Sequence, residues 1–292
     1  MKTRDRERCW HWPTVAALLV CATSASASEN GVGVVAEYRP AAGRYTFVRG
    51  TASVPVKIGT IAMAGDTVTL PTGGSVVVKL ATGDSSQFKG PGTFTVPSAK
   101  PLGKVAAVFG SLSALFDDEY RLEGTAASRG GEACAETGKE ARPIEVPILA
   151  SGAKIVAGER DLPLAWRGGC EPFVVTLWSG DRKLVDRESI EGRQVRLDDV
   201  PLSVGTYQVS IRDATGLERQ LPLEVVSSAP AIPRDLASDT SPLGVVAQAA
   251  WLAQQEGGRW RLESFELLRP LIRAGDPLAG AIGDGVLWGS TP

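Results

Sequence analysis

The sequence predicts a mainly β protein: two β domains in series, followed by a short α-helical segment. Three observations carry that prediction. Between Ala62 and Val96 four turn signals, Gly65-Asp66, Thr72-Gly73-Gly74, Gly83-Asp84 and Gly90-Pro91-Gly92, separate short apolar runs. From Pro143 to Ser227, runs of alternating apolar and polar residues recur at regular spacing. After Pro242 the apolar period lengthens to three or four residues, as on a helix.

The first 27 residues read as a leader. Lys2, Arg4, Arg6 and Arg8 form a basic start, Trp12 to Val20 a short apolar core, and Ala25-Ser26-Ala27 a small-x-small cleavage site. The apolar core is too short for a bilayer, which needs about 20 residues. Cleavage after Ala27 removes four basic and two acidic residues, taking the net charge from −2 to −4. No basic footprint for nucleic acid remains. The expected location is the periplasm, with no transmembrane span in the mature chain. Cleavage also removes Cys9, Cys21 and His11, the one histidine. Cys134 and Cys170 then remain, and in an oxidising compartment such a pair is expected to form a disulfide.

Residues 28–120 read as the first β domain. Gly31 to Tyr38 opens a strand, Arg44 to Arg49 a second, and Val54, Val56 and Ile58 alternate along a third. Pro55 places that third strand at a sheet edge. The spacing predicts strands over Thr67–Leu70, Ser75–Ala81, Ser86–Lys89 and Thr93–Val96, and a further one over Val105–Phe109. Ser111–Tyr120 reads as either helix or strand. Residues 121–142 are small, polar and Gly-rich, a linker.

Residues 143–227 carry six alternating runs, at Ile144/Val146/Ile148, Leu162/Leu164/Trp166, Phe173/Val175/Leu177, Val195/Leu197, Tyr207/Val209/Ile211 and Leu221/Leu223/Val225. Short strands at this density predict a β-sandwich with Trp166 in its core. Residues 228–242 read as a Pro/Ser linker, and 243–292 as the helical segment. Its helices are expected over Leu243–Gln255, over Arg259–Ala274 with Pro270 kinking or ending the second, and from Asp276-Pro277 to Trp288.

Three resemblances follow from these residues. Gly65-Asp66 before Thr67–Leu70, Gly73-Gly74 before Ser75–Leu80, then Gly83-Asp84 and Gly90-Pro91-Gly92, resemble a FecR-type domain over residues 31–100. That resemblance implies a small all-β periplasmic module, its best-known members passing a receptor's signal to a cytoplasmic sigma factor. Those regulators carry a transmembrane helix where this chain has a leader, so the resemblance points to the exported, multidomain kind. The Leu162-x-Leu164-x-Trp166 run and the Leu202–Val209 turn-into-strand resemble an immunoglobulin-like or fibronectin-like module. The C-terminal helices resemble one unit of a tetratricopeptide-like repeat, which cannot bury a core alone and is expected to dock on another surface.

Little in the chain assembles chemistry. Without histidine the mature chain has no Ser-His-Asp or Cys-His set and no His-containing metal site. Ser151-Gly152-Ala153-Lys154 matches S-x-x-K without the partner motifs that catalysis needs. Asp117, Asp118 and Glu119 are a solvated turn before they are a cation site. No cofactor is expected. Trp178 falls one residue past an inward-facing run, and is the better of two tryptophans for stacking on a ligand. The expectation is a non-enzymatic, exported binding or scaffold protein with an envelope protein or glycan partner. The alternatives are an envelope sensor and a carboxylate-dependent carbohydrate-active enzyme.

Overall fold

The computed structural model of the protein describes residues 30–39, 45–111 and 142–289. The leader, residues 112–141 with their acidic cluster and Cys134, and residues 290–292 lie outside the described residues.

The N-terminal module stacks two four-stranded antiparallel sheets. One runs β4 (Ile61–Met63), β1 (Gly31–Arg39), β6 (Ser75–Leu80), β7 (Ser85–Lys89). The other runs β3 (Ala52–Pro55), β2 (Thr46–Arg49), β5 (Thr67–Leu70), β8 (Gly92–Thr95). Phe47, Val68 and Leu70 of one sheet meet Val32, Val35, Val76 and Val78 of the other to form the module's core. Pro55 ends edge strand β3. The strand expected to reach Ile58 therefore stops there, and Val56 and Ile58 are buried on the connection to β4.

Val105–Phe109 is a helix, not the expected strand: α1 spans Val105–Gly110. Leu102, Val105, Ala106 and Phe109 are all buried. Their spacing is that of one helical face, and the run lacks the polar alternation of a half-buried strand.

The second domain is a β-sandwich. A five-stranded sheet has the order β12 (Arg182–Ile190), β11 (Phe173–Ser179), β14 (Gly205–Arg212), β15 (Glu218–Val226), β9 (Ala153–Val156), with β9 parallel to β15. It faces the pair β10 (Gly158–Ala165) and β13 (Gln194–Leu202). Trp166 is fully buried and edge-on to Phe173, 5.1 Å between centroids. The Tyr207 hydroxyl donates to the Ser203 carbonyl and accepts from its N–H, both at 2.9 Å. This is the tyrosine corner of immunoglobulin-like sandwiches. One expectation fails here, and one strand carries no signal in the sequence. Ile144/Val146/Ile148 forms one bridge and a 3₁₀ turn (Pro147–Leu149), because all three side chains and Leu149 point into one core. The polar strand β12 was missed, because as a sheet edge it carries little apolar alternation.

Residues 228–242 are not a free linker. They hold α2 (Arg234–Ala237), whose Leu236 is buried, and the Gln248 amide donates to the Leu236 and Asp239 carbonyls. Ser241 then caps α3 (Pro242–Ala253), accepting from the Gly244 N–H at 3.1 Å. Helix α4 (Arg261–Arg273) continues past Pro270, which is exposed and begins the last turn. The expected stop is absent, since the helix runs on to Arg273 and the Ala274 N–H still bonds the Pro270 carbonyl. Helix α5 (Pro277–Trp288) starts at Asp276, whose Oδ1 accepts from the N–H groups of Leu278 and Ala279.

These helices lie between the two β domains and join them. Val34, Ala36 and Val77 of the first module share one buried core with Leu243, Ala250, Leu278, Ile282 and Val286. That core continues into Ile148, Ile155 and Leu223 of the sandwich. Lys79 Nζ on β6 meets Asp276 Oδ2 at 3.0 Å, with side chains 14% and 10% exposed. On the other side the Lys154 N–H donates to the Arg259 carbonyl at 2.7 Å, and Arg167 Nη2 to the Trp288 carbonyl at 2.9 Å.

Lys79→Met breaks the ion pair and leaves Asp276 its capping role, for an expected loss of about 1–2 kcal/mol. Asp276→Ala removes cap and pair together and is expected to cost about 2–4 kcal/mol. Calorimetric melting of both variants checks the order; no loss in Lys79→Met would show that the pair carries no weight, and equal losses that the cap carries none.

Candidate functional site

The residues singled out in the sequence divide between scaffolding and an open surface. Asp66 is scaffolding. It is 1% exposed, and its carboxylate takes both Arg49 Nε at 2.9 Å and Nη2 at 2.7 Å. The Met63 N–H donates to the same carboxylate at 2.8 Å, while Arg49 Nη2 also reaches the Ile61 carbonyl. The hydrogen bond to Asp66 raises the Arg49 pKa above its already high ordinary value, against a smaller opposing effect of burial. Gly65 ahead of it has φ +84° and donates its N–H to the Val96 carbonyl, so the Gly-Asp pair ties the β4–β5 corner to the end of β8.

The other turn residues also serve backbone geometry. Gly73, Gly83 and Gly92 have positive φ. Gly74 and Gly90 sit where a Cβ would stand 2.8 Å from the Tyr45 hydroxyl and 2.0 Å from the Pro71 carbonyl oxygen. Asp84 accepts from the Thr82 hydroxyl and from the Leu80 N–H, closing the β6–β7 turn.

Ser151 and Lys154 are held apart by the helical segment. The Ser151 hydroxyl donates to the Gly257 carbonyl at 2.8 Å, and Lys154 Nζ pairs with Glu256 at 2.8 Å. Arg259 bridges Glu224 and Glu256 in the same network, which fixes the α3–α4 corner on strand β9. Cys170 is disulfide-bonded, and its sequence-expected partner Cys134 lies outside the described residues. Asp213 anchors the Cys170 loop. Burial pushes its carboxyl up, but donors from Thr215, Cys170 and Leu217 outweigh this and hold it below the usual range.

The open surface is the outer face of the five-stranded sheet. Phe173, Val175 and Leu177 point inward along β11, so Thr176 and Trp178 point outward. The register places Asp186, Thr176, Ser210 and Gln220 in one row across four strands. Thr176 Oγ1 donates to Asp186 Oδ1 at 3.0 Å, and Ser210 Oγ to Glu218 Oε1 at 2.6 Å. Gln208 donates to Gln220, which donates to Glu218, both at 2.8 Å. Lys183 Nζ reaches Asp186 Oδ2 at 2.5 Å and lies 5.5 Å from the Trp178 ring centroid. Hydrogen bonding from Lys183 lowers the Asp186 pKa, and hydrogen bonding from Ser210 lowers that of Glu218; Arg212 helps both. Sequence reading found Trp178 and missed its polar neighbours, which come together only through strand register.

A second cluster lies where α4 crosses β10. Glu263 pairs with Arg160 at 3.5 Å, Arg269 pairs with Asp161, and Arg269 Nη2 meets Glu266 Oε2 at 3.2 Å. Glu266 Oε1 is buried without a hydrogen-bond partner. Burial raises the Glu266 pKa; Arg269 and Arg160 oppose the shift, and Asp161 and Glu263 reinforce it. Among the described residues no group of three or more His, Cys, Asp and Glu side chains is arranged to hold a metal ion.

No protein-family model matches the chain, and no curated protein matches it. Among solved structures it is similar to the Clostridium thermocellum CbhA fibronectin(III)-like modules, at 10% identity over 62% of this chain and 76% of that one, with a TM-score of 0.20. It is also similar to Sidekick-1 immunoglobulin domains 1–5, at 12% identity over 69% of this chain and 40% of that one, with a TM-score of 0.23.

Two outcomes follow from the buried charges. Asp66→Ala strands the Arg49 guanidinium and the Met63 N–H, and is expected to destabilise the chain by about 2–4 kcal/mol in a urea titration. Loss below about 0.5 kcal/mol would mean water replaces the carboxylate without cost. Glu266 has its folded pKa raised, so its contribution is present below its unfolded pKa and fades as pH rises through the folded value. Glu266→Gln keeps the uncharged form. Its melting temperature should exceed wild type at pH 8, with the gap closing as pH falls through the carboxylate range. A gap that grew on acidification would reverse the assignment.

Proposed function

We propose that this chain is an exported, non-enzymatic binding or scaffold protein of the bacterial cell envelope, built on a FecR-like module joined rigidly to an immunoglobulin-like sandwich. The observation that carries this reading is the division of labour among polar groups. The Asp66–Arg49, Lys79–Asp276 and Lys154–Glu256 pairs hold the chain together, whereas the row from Asp186 to Gln220 holds nothing but itself. The S-x-x-K residues are spent on the corner between α3 and α4, which favours binding over hydrolysis. The Gly65-Asp66 corner supports the FecR-like reading because both residues meet demands of the backbone that the family's turn motif would impose.

The export reading is supported by the leader at residues 1–27, and in the periplasm Cys134 is expected to bridge to Cys170. No helix among the described residues is long and apolar enough to cross a membrane.

One experiment addresses compartment and role together. The chain is expressed with a photo-reactive phenylalanine analogue at Gln208, or at Thr69 on the first module as a control, and cells are fractionated after irradiation. Intact mass is expected to show a start at Ser28 and one disulfide, in the periplasmic fraction, with adducts from position 208 in excess of those from 69. Retention of the leader in the cytoplasm would remove the export reading. Absence of adducts from both positions would remove a protein partner from the binding reading.

A further inference from the structure

We propose that the outer face of the five-stranded sheet binds an uncharged, hydroxyl-rich oligosaccharide, with Trp178 as its stacking platform and Thr176 and Ser210 as the floor of a shallow trough. This rests on the binding reading above and gives it a ligand class.

The shape comes from side-chain length. Thr176 and Ser210 are each 6% exposed although their face of the sheet is the outer one. They are short, and longer neighbours two residues along each strand rise past them: Trp178 and Gln208 on one side, Arg212 on the other. The trough runs across the strands from Asp186 on β12 to Gln220 on β15. Four strands at about 4.8 Å spacing give it about 14 Å, room for an oligosaccharide and more than one sugar ring needs.

The chemistry suits a neutral polyol. Sugar hydroxyls both donate and accept, so a surface that holds them must offer acceptors and donors side by side. Glu218 and Asp186 supply acceptors, Arg212 supplies donors, and the Gln208 amide supplies both. Glu218 Oε1 is occupied by Ser210 and Gln220, while Oε2 makes no hydrogen bond among the described residues; nor does the Arg212 side chain. Two carboxylates and two cations alternate over the face, so a polyanion meets Asp186 and Glu218 and a polycation meets Lys183 and Arg212. An uncharged chain is penalised by neither. The apolar flank of a sugar ring packs on an indole, and Trp178 is half-buried at the trough's edge. Lys183 beside it is 45% exposed, and its flexible stem can yield ring surface to a ligand. The existing hydrogen bonds fix Gln208, Gln220 and Glu218 before any ligand arrives, which lowers the ordering cost of binding.

The test is calorimetric titration of the full mature chain with neutral hexasaccharides (of glucose in α and β linkage, and of N-acetylglucosamine) and with a hexamer of galacturonic acid as anionic control. At least one neutral hexamer is expected to bind with a Kd between about 1 μM and 1 mM. Trp178→Ala is expected to weaken it about tenfold or more, and Gln208→Ala, on an exposed side chain, about threefold with its melting temperature unchanged. Thr69→Ala on the first module is expected to leave binding intact. The inference is overturned if no neutral hexamer binds, if the galacturonate hexamer binds as tightly, or if neither Trp178→Ala nor Gln208→Ala weakens binding. Should polypeptide adducts form at position 208 in cells while no hexamer binds, the oligosaccharide is wrong and the binding reading stands. Should neither occur, both fall.

Discussion

Burial of β1 and β6 on both faces is the constraint that the rest of the fold answers to. Val32, Val35, Val76 and Val78 fill the first module's own core, and Val34, Ala36 and Val77 look the other way. A strand pair apolar on both faces needs a layer on each side. The opposing sheet supplies one layer, and helices α1, α3 and α5 help supply the other. Each large apolar side chain covered in this way contributes about 2 kcal/mol. Pulling the module from the helices would return several of them to water at once. Residues 243–289 are therefore the joint of the molecule, although they stand at the end of the sequence.

Apolar contact has no direction of its own, so something else must fix the angle at which the layers meet. Asp276 does this by acting twice. One carboxylate oxygen caps α5 and the other takes Lys79 from β6, so the start of the helix is pinned to a single position on the strand. The pairs around Arg259 and Lys154 involve side chains that are mostly more exposed, up to 44%, and contribute little stability of their own. The backbone bond from Lys154 to Arg259 and the buried neighbours of β9 carry that side of the joint.

What the sequence revealed, and what it hid, follows from where each residue's partners lie. Turn glycines and the alternation along β11, β14 and β15 are local signals, and they place the strands to within two or three residues. The helix start at Asp276-Pro277 is equally local. Val105–Phe109 misleads because a short apolar run taken alone fits strand and helix alike; its helical face is apparent only with Leu102 included and with its packing against α3. Strand β12 hides because its charges face water at a sheet edge. The polar trough could not be read at all: Asp186, Thr176, Ser210 and Gln220 are spread over 45 positions of sequence and become neighbours only through pairings between strands. Trp178 was readable, since its parity within one strand sets the face on which it sits.

The outer face of a sheet covered on one side needs only to be wettable, and scattered charges would satisfy that. This face goes further. Its amides and hydroxyls are engaged with one another, so their rotamer entropy is spent during folding, and the sandwich core beneath makes that ordering stable. Such expenditure contributes little to stability at a solvated surface, where water offers the same groups equivalent bonds. Its physical consequence would lie in binding, because a ligand meeting ordered groups has less freedom to take from them. The shared core extends the consequence to the whole chain. With α5 locked to β1 and α4 to β9, a ligand on the sandwich face would sit at a fixed position relative to the first module, and the two β domains would present their surfaces as one body.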